Sequence, residues 1–217
     1  MLLAQKYDPI KTNPTGWYMS EKLDGVRCYW DGTAMYTRTG KPFYPPDFFK
    51  DVLPKDVCLD GELWTGRDEF QRVVSIVRRQ DKNDDWNQVI YMVFDAPKIH
   101  EPFKKRIQMI KEIIDKVNSP YVKLVEHSVC ESPEHLMKEM DVVTANKGEG
   151  LMIRDPESFY EGKRSDTLLK VKKFDDAEAV VIEHKKGTGR CSHMMGAILV
   201  REKDGTEFKI GSGFDDA

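Results

Sequence analysis

Apolar residues alternate with polar ones through the first third of the chain, which predicts strands. Val26–Trp30 and residues 35–38 flank Asp31-Gly32, the pattern of a β-hairpin. Residues 57–64 are a further strand candidate, and Arg67 and Asp68 open a helical segment with Phe70, Val73, Val74 and Val77 on one face. The apolar run at 89–94, closed by Asp95-Ala96-Pro97, reads as a fully buried strand. After Pro102, apolar residues recur at spacings of four and three from Phe103 through Ile107, Ile110 and Ile114 to Val117, a helix with Lys104, Lys105 and Arg106 on its surface. Residues 122–129 read as a strand. Ser132-Pro133 is an N-cap and first-turn proline opening a helix to about Val143. Strands follow at 151–154 and 167–174. From Ala177 only strands and turns remain, at 179–183, 197–201 and 207–210. The pattern predicts an α+β domain over 1–173 and the beginning of an all-β module over 174–217.

Composition narrows the class. Of 217 residues, 40% are hydrophobic and 33% charged, which fits a folded chain rather than a disordered or fibrous one. No apolar run has the length of a membrane span, and Lys6 and Asp8 come too early for a signal peptide. Cys28, Cys58, Cys130 and Cys191 form no CxxC pair, so neither a zinc site nor a disulfide framework is expected, and a cytoplasmic setting follows. The net charge of -3 gives no bulk attraction for nucleic acid. Local clusters at Arg78-Arg79, 104–106, 170–173 and Lys185-Lys186 could nevertheless form basic surfaces.

Candidate chemistry lies at a few short stretches. In SEKLDGVR, Lys22 is a nucleophile if cations lower its affinity for a proton, and Arg27 could hold a ribose or phosphate; a solvated Lys-Asp-Gly turn is the alternative. Glu62 in Asp60-Gly61-Glu62 could hold a metal or ribose hydroxyl, or belong to an acidic turn. Phe94 could stack on a purine or pack in the core. Glu149, between two glycines, could meet a metal or a hydroxyl, or be an ordinary turn carboxylate. Lys170 and Lys172 share one face of a strand, where an anion or an edge-protecting role would suit them.

Taken in order, Lys22-x-Asp-Gly-x-Arg, Asp-Gly-Glu62, Phe94-Asp95, Glu149-Gly150 and Lys170-x-Lys172 resemble the motif series of ATP-dependent DNA ligases, most closely the small bacterial, phage and viral ones. The resemblance implies a nucleotidyltransferase domain of the ligase adenylation type, related to the ATP-grasp fold and built of antiparallel sheets and helices, followed by a partial OB-fold. It implies that Lys22 attacks the α-phosphate of ATP to form lysyl-AMP, that Arg27 and Glu62 hold the ribose region, and that Phe94 stacks on adenine. Glu149, with Glu62, would hold Mg2+ or Mn2+; Lys170 and Lys172 would grip the α-phosphate; Arg38 would meet the nick 5′-phosphate, and Lys41 would bind DNA beside it. The implied partner is nicked duplex DNA, engaged by a monomer in the cytoplasm, at a nucleoid or in a viral host's compartment. RNA ligases and capping guanylyltransferases share the motif series, and a nick-binding protein without turnover is a further alternative. Residues 177–214 supply about three strands where the family's OB-fold has five, and the family's last basic motif has no counterpart before Ala217, so either a minimal or a C-terminally truncated ligase is expected.

Overall fold

The computed structural model describes residues 1–172, 178–189 and 192–211. The chain forms two compact units, Met1–Lys173 and Phe174–Ala217. In the first unit, the hairpin strands β3 (Val26–Trp30) and β4 (Met35–Thr37) pair antiparallel, and β5 (Leu59–Trp64), β6 (Ile90–Asp95) and β7 (Val122–Leu124) extend them into a sheet of order β4-β3-β5-β6-β7. Its one parallel pair is β6 with β7. A second sheet contains two short strands that periodicity does not reveal, β1 (Leu3–Lys6) and β2 (Tyr18–Glu21), with β8 (Ser128–Val129), β9 (Leu151–Arg154) and β10 (Arg164–Val171). Its order is β1-β10-β9-β2-β8, with β1 parallel to β10.

Helices cover these sheets because their apolar stripes require it. The short α1 (Asp47–Lys50) contributes Phe49, and α2 (Phe70–Val77) contributes Val73, Ile76 and Val77 to the larger core. The long α3 (Phe103–Val117) adds Phe103, Ile107, Ile110 and Ile114 to the same core. Helix α4 (Pro133–Ala145) is capped as its sequence predicts, Ser132 Oγ accepting from the His135 amide at 3.1 Å. Its Leu136, Met140 and Val143 meet Met19, Ile153 and Leu169 in a smaller core under the second sheet. Truncating a fully enclosed side chain such as Ile110 to alanine removes about 2–5 kcal/mol.

Five readings depart from the periodicity, the first three for a visible reason. The uniformly apolar run near 89–94 is buried on one face only: Tyr91, Val93 and Asp95 point into the core, and Ile90, Met92 and Phe94 do not. A strand alternates its faces whatever its sequence, so apolarity on both sides marks a second apolar environment rather than full burial. The expected strand at 122–129 is two strands in different sheets, and Val125–His127 crosses between them. Helix α2 begins at Phe70, because Asp68 takes a left-handed φ of 61°. Arg106, expected on the surface of α3, is fully buried. The strand near 167–174 runs from Arg164 to Val171; Phe174, and Lys173 of the expected basic cluster, lie outside the described residues.

The second unit contains a three-stranded antiparallel meander, β11 (Val180–Lys186), β12 (Met195–Arg201) and β13 (Glu207–Ile210). Among its described residues Val200 alone is buried among the hydrophobics. Cys191 lies outside the described residues; Cys28, Cys58 and Cys130 are buried free thiols.

Candidate active site

A cavity of about 200 Å³ opens in the first unit, lined from both five-stranded sheets by Lys22, Arg27, Glu62, Phe94, Met152 and Lys170 among others. The second sheet brings the nucleophile candidate there. Lys22 follows the last residue of β2, and its amide donates to Gly150 O at 2.8 Å, tying the end of β2 to the start of β9. Gly150 has φ of 150°, and a Cβ there would lie 2.4 Å from Val171 O at the end of β10, so glycine is what lets the start of β9 lie against β10 here. These contacts set Glu149 beside Lys22: its carboxylate accepts from Lys22 Nζ on one oxygen and Lys172 Nζ on the other. Burial opposes ionisation of Glu149, but the bonds from Lys172 and Lys22 prevail and hold its carboxyl below the usual value. Lys170, on β10, borders the cavity, whereas Lys172 lies just past the strand end and is more exposed.

The first sheet supplies the opposite wall. Arg27 and Glu62 face each other across β3 and β5. Asp60, fully buried, accepts from Arg27 Nε at 2.6 Å and Nη2 at 2.7 Å. It also accepts from the Tyr160 hydroxyl at 2.6 Å, and that hydroxyl in turn accepts from the Leu2 amide at 2.9 Å. Arg27 is thereby held with its guanidinium 4.6 Å from the centroid of the Phe94 ring. The Glu62 carboxyl has no hydrogen bond or ion pair among the described residues. Protein surrounds it on most sides, and this desolvation, against the attraction of Arg27 and Lys22, pushes its pKa up to about 8.

Sequence reasoning missed the ionic floor beneath the cavity, a cluster of Asp95, Arg106 and Arg154 of which Arg154 reaches the lining. Asp95, expected to close the strand and to follow Phe94 in the motif series but given no role of its own, is a buried acceptor for Arg106 Nε at 2.7 Å and Nη2 at 3.1 Å, for Arg154 Nη2, and for the Ala96 amide at 2.8 Å. Arg106 Nη1 donates to Glu101 O and Ser158 O, while Arg154 Nη1 is buried without a partner among the described residues. Arg154 lies over the Phe103 ring at 4.7 Å, and His127 packs edge-on against Phe103 at 5.4 Å. The signal available for Arg106 was a charge at the helical spacing of the apolar stripe. For Arg154 and His127 the sequence carries none.

Other expected groups are not gathered at the cavity. Arg38 and Lys41 sit exposed in the turn after β4, where Lys41 O accepts from the Thr37 amide at 2.8 Å, and neither lines the cavity. The expected basic clusters are largely neutralised: Arg79 pairs with Asp81 and Asp85, Lys104 with Glu157, Lys105 with Glu101 and Lys185 with Glu183. Among the described residues no three His, Cys, Asp or Glu side chains converge as a ready metal cage. An unpaired, desolvated Glu62 carboxyl within the cavity nonetheless suits a divalent cation that takes one or two carboxylates and completes its shell with phosphate and water. No helix among the described residues is long and apolar enough to cross a membrane.

Motifs, cavity and fold together define a nucleotide-dependent ligase. A model of the ATP dependent DNA ligase domain matches residues 1–172, and one of the DNA ligase OB-like domain matches residues 186–217. The chain belongs to the ATP-dependent DNA ligase family, and ATP is the nucleotide that family uses. It is 38% identical over 201 residues to a DNA ligase of Haemophilus influenzae, a match covering 92% of this chain and 74% of that protein. A DNA ligase of Thermococcus onnurineus is 34% identical, and there the match spans 33% of the relative's length. A solved structure of a Lig E DNA ligase, described as binding DNA with a minimal scaffold, superposes with a TM-score of 0.92 at 37% identity, covering 99% of this chain and 84% of that one. The Chlorella virus DNA ligase-adenylate superposes with a TM-score of 0.68 at 27% identity, covering 99% and 85%.

Proposed function

We propose that this chain seals nicks in duplex DNA through a lysyl-AMP intermediate on Lys22. The observation that carries the reading is the meeting of Lys22, Glu149 and Lys172 at the rim of a cavity that also holds Arg27, Glu62, Phe94 and Lys170. Adenine stacks on Phe94 and the ribose lies toward Arg27 and Glu62. As the α-phosphate arrives, Lys172 exchanges carboxylate for phosphate oxygen, and Lys170 grips the same group from β10. Lys22 Nζ, having given up a proton to solvent, attacks the α-phosphorus; an N–P bond forms as the P–O bond to pyrophosphate breaks and pyrophosphate leaves. Mg2+ or Mn2+, held by Glu62 and by Glu149 once its lysines have turned to phosphate, would supply positive charge against the phosphate oxygens. Adenylate then passes to the 5′-phosphate of a nick, and the neighbouring 3′-hydroxyl displaces AMP.

Residues 1–173 form the adenylating domain in this reading and 174–217 a partial OB-fold. Arg38 and Lys41, exposed and without ion pairs among the described residues, contact the DNA backbone near the nick, with one chain acting per site. Incubation with α-labelled ATP and magnesium, followed by a denaturing gel, is expected to label the protein and to leave Lys22→Ala unlabelled. Equal labelling of both would overturn the covalent mechanism. Labelling by GTP in preference to ATP, or joining of nicked RNA but not nicked DNA, would move the assignment to a capping or RNA-ligating enzyme. Sealing of preadenylated nicked DNA reports the last step separately from the first.

A further inference from the structure

The crossing segment between β7 and β8 brings one more polar group to the nucleotide cavity. Val125 N donates to Val93 O at 2.8 Å, which pins this segment to the strand that carries Phe94. Two residues on, His127 lines the cavity. Its ring orientation is set from three sides. Nδ1 lies 2.7 Å from Val125 O, and the ring packs edge-on against Phe103 at 5.4 Å and Tyr18 at 6.5 Å. A carbonyl oxygen only accepts, so Nδ1 carries the hydrogen, and Nε2, which has no partner among the described residues, is left with a lone pair if the ring is neutral.

The surroundings keep it neutral. Burial disfavours the imidazolium and Arg154 repels it; the Val125 carbonyl and Asp95 act the other way and do not compensate, so the His127 pKa falls to about 4. At neutral pH His127 therefore brings a hydrogen-bond acceptor to the cavity lining, its ring held by Phe103 and Tyr18. We infer that His127 reads the base: its Nε2 accepts a hydrogen bond from the exocyclic amine of adenine and so sets the choice of ATP over GTP. The inference rests on the lysyl-adenylate reading above. At the same position guanine carries a carbonyl oxygen, and two acceptors facing each other in a desolvated site leave both unsatisfied.

Self-labelling rates with limiting ATP, purine riboside 5′-triphosphate (which lacks the amine) and GTP test this directly. The wild-type protein is expected to favour ATP over the purine riboside analogue by about ten- to a hundredfold, the effect of one desolvated polar group losing its partner. His127→Leu is expected to bring that ratio within about threefold of unity by slowing ATP and leaving the analogue nearly unchanged, where a general packing defect would slow both alike. His127→Gln, which can present an amide oxygen, is expected to restore part of the preference. Wild-type protein that labels equally with ATP and the analogue overturns the assignment without recourse to any variant, and so does a His127→Leu protein that keeps the full ratio. Absence of label with every nucleotide overturns the lysyl-adenylate reading, and this one with it. Label without preference overturns the His127 assignment alone.

Discussion

Two ionic clusters in the first unit use the same chemical groups in opposite ways. At the floor, Asp95 holds Arg106 and Arg154 where Asp95 and Arg106 are 0% exposed and water cannot compete. At the rim, Glu149 holds Lys22 and Lys172, but the three side chains are 23%, 24% and 36% exposed. A buried charge that loses its partner is left desolvated, so the floor is locked in one arrangement. A rim charge that loses its partner finds water, a phosphate or a cation at little cost, so the rim can exchange partners during a reaction. Arg27, 22% exposed and tied to fully buried Asp60, lies between these extremes and presents a fixed guanidinium to a changing site.

The contrast is open to direct test. Asp95→Ala strands two arginines in the core and is expected to cost about 3–5 kcal/mol, read as a lower urea midpoint. Loss of under about 1 kcal/mol would show that water reaches the floor. Asp60→Ala is expected to cost less, about 2 kcal/mol, because Arg27 retains some solvent. It should also slow self-labelling, since Arg27 would no longer be held against Phe94.

Two groups of the cavity wall contribute to the pH response with opposite signs. Glu62 has a folded pKa raised to about 8 from 4.5, so the folded state binds the extra proton and stability falls as pH rises between those values. His127 has a folded pKa lowered to about 4 from 6.5, so its contribution is present above 6.5 and is lost as pH falls toward 4. The slopes oppose each other in the acid range, and a net decline remains above about pH 6.5. Glu62→Gln is expected to abolish that decline, which amounts to less than about 1.4 kcal/mol per pH unit, in melting curves recorded from pH 6.5 to 8.5. A wild-type midpoint that does not fall over this range would refute the desolvated Glu62.

Glu149→Gln is expected to change stability by less than about 1 kcal/mol while sharply reducing self-labelling, the reverse of the effect expected at the floor. Smallest of all is Lys111→Ala on the solvent face of α3. It removes an exposed pair with Asp115 and should shift the urea midpoint by only roughly 0.3–0.5 kcal/mol.

What could be read from sequence follows the range of the forces involved. The α3 stripe, the α4 cap and the β3–β4 hairpin are local patterns of a few residues, and each was legible. β1 and β2 were not, because four-residue strands depend on pairing with partners far along the chain, such as β10 and β9. The run at 122–129 misled for the same reason: only the division between two sheets breaks it, and no residue within it announces a break. In the second unit the strands were legible and the burial was not, since its described residues enclose little more than Val200.

By itself the sequence carried the family, because the residues from Lys22 to Lys172 form an ordered series that resembles the motif series of ATP-dependent DNA ligases whatever surrounds them. Tertiary structure alone decided which of those groups meet and which charges are locked. Lys22 and Glu149 are 127 positions apart and touch because β2 pairs with β9, the Lys22 amide donating to Gly150 O, while Gly150 lets the start of β9 lie against the end of β10. Arg106 is a buried anchor and Lys105 a surface charge though they are neighbours in the chain, since the helix turns one toward Asp95 and the other toward water. Burial is a property of the whole fold, and it is burial that sets the strength of a charge pair.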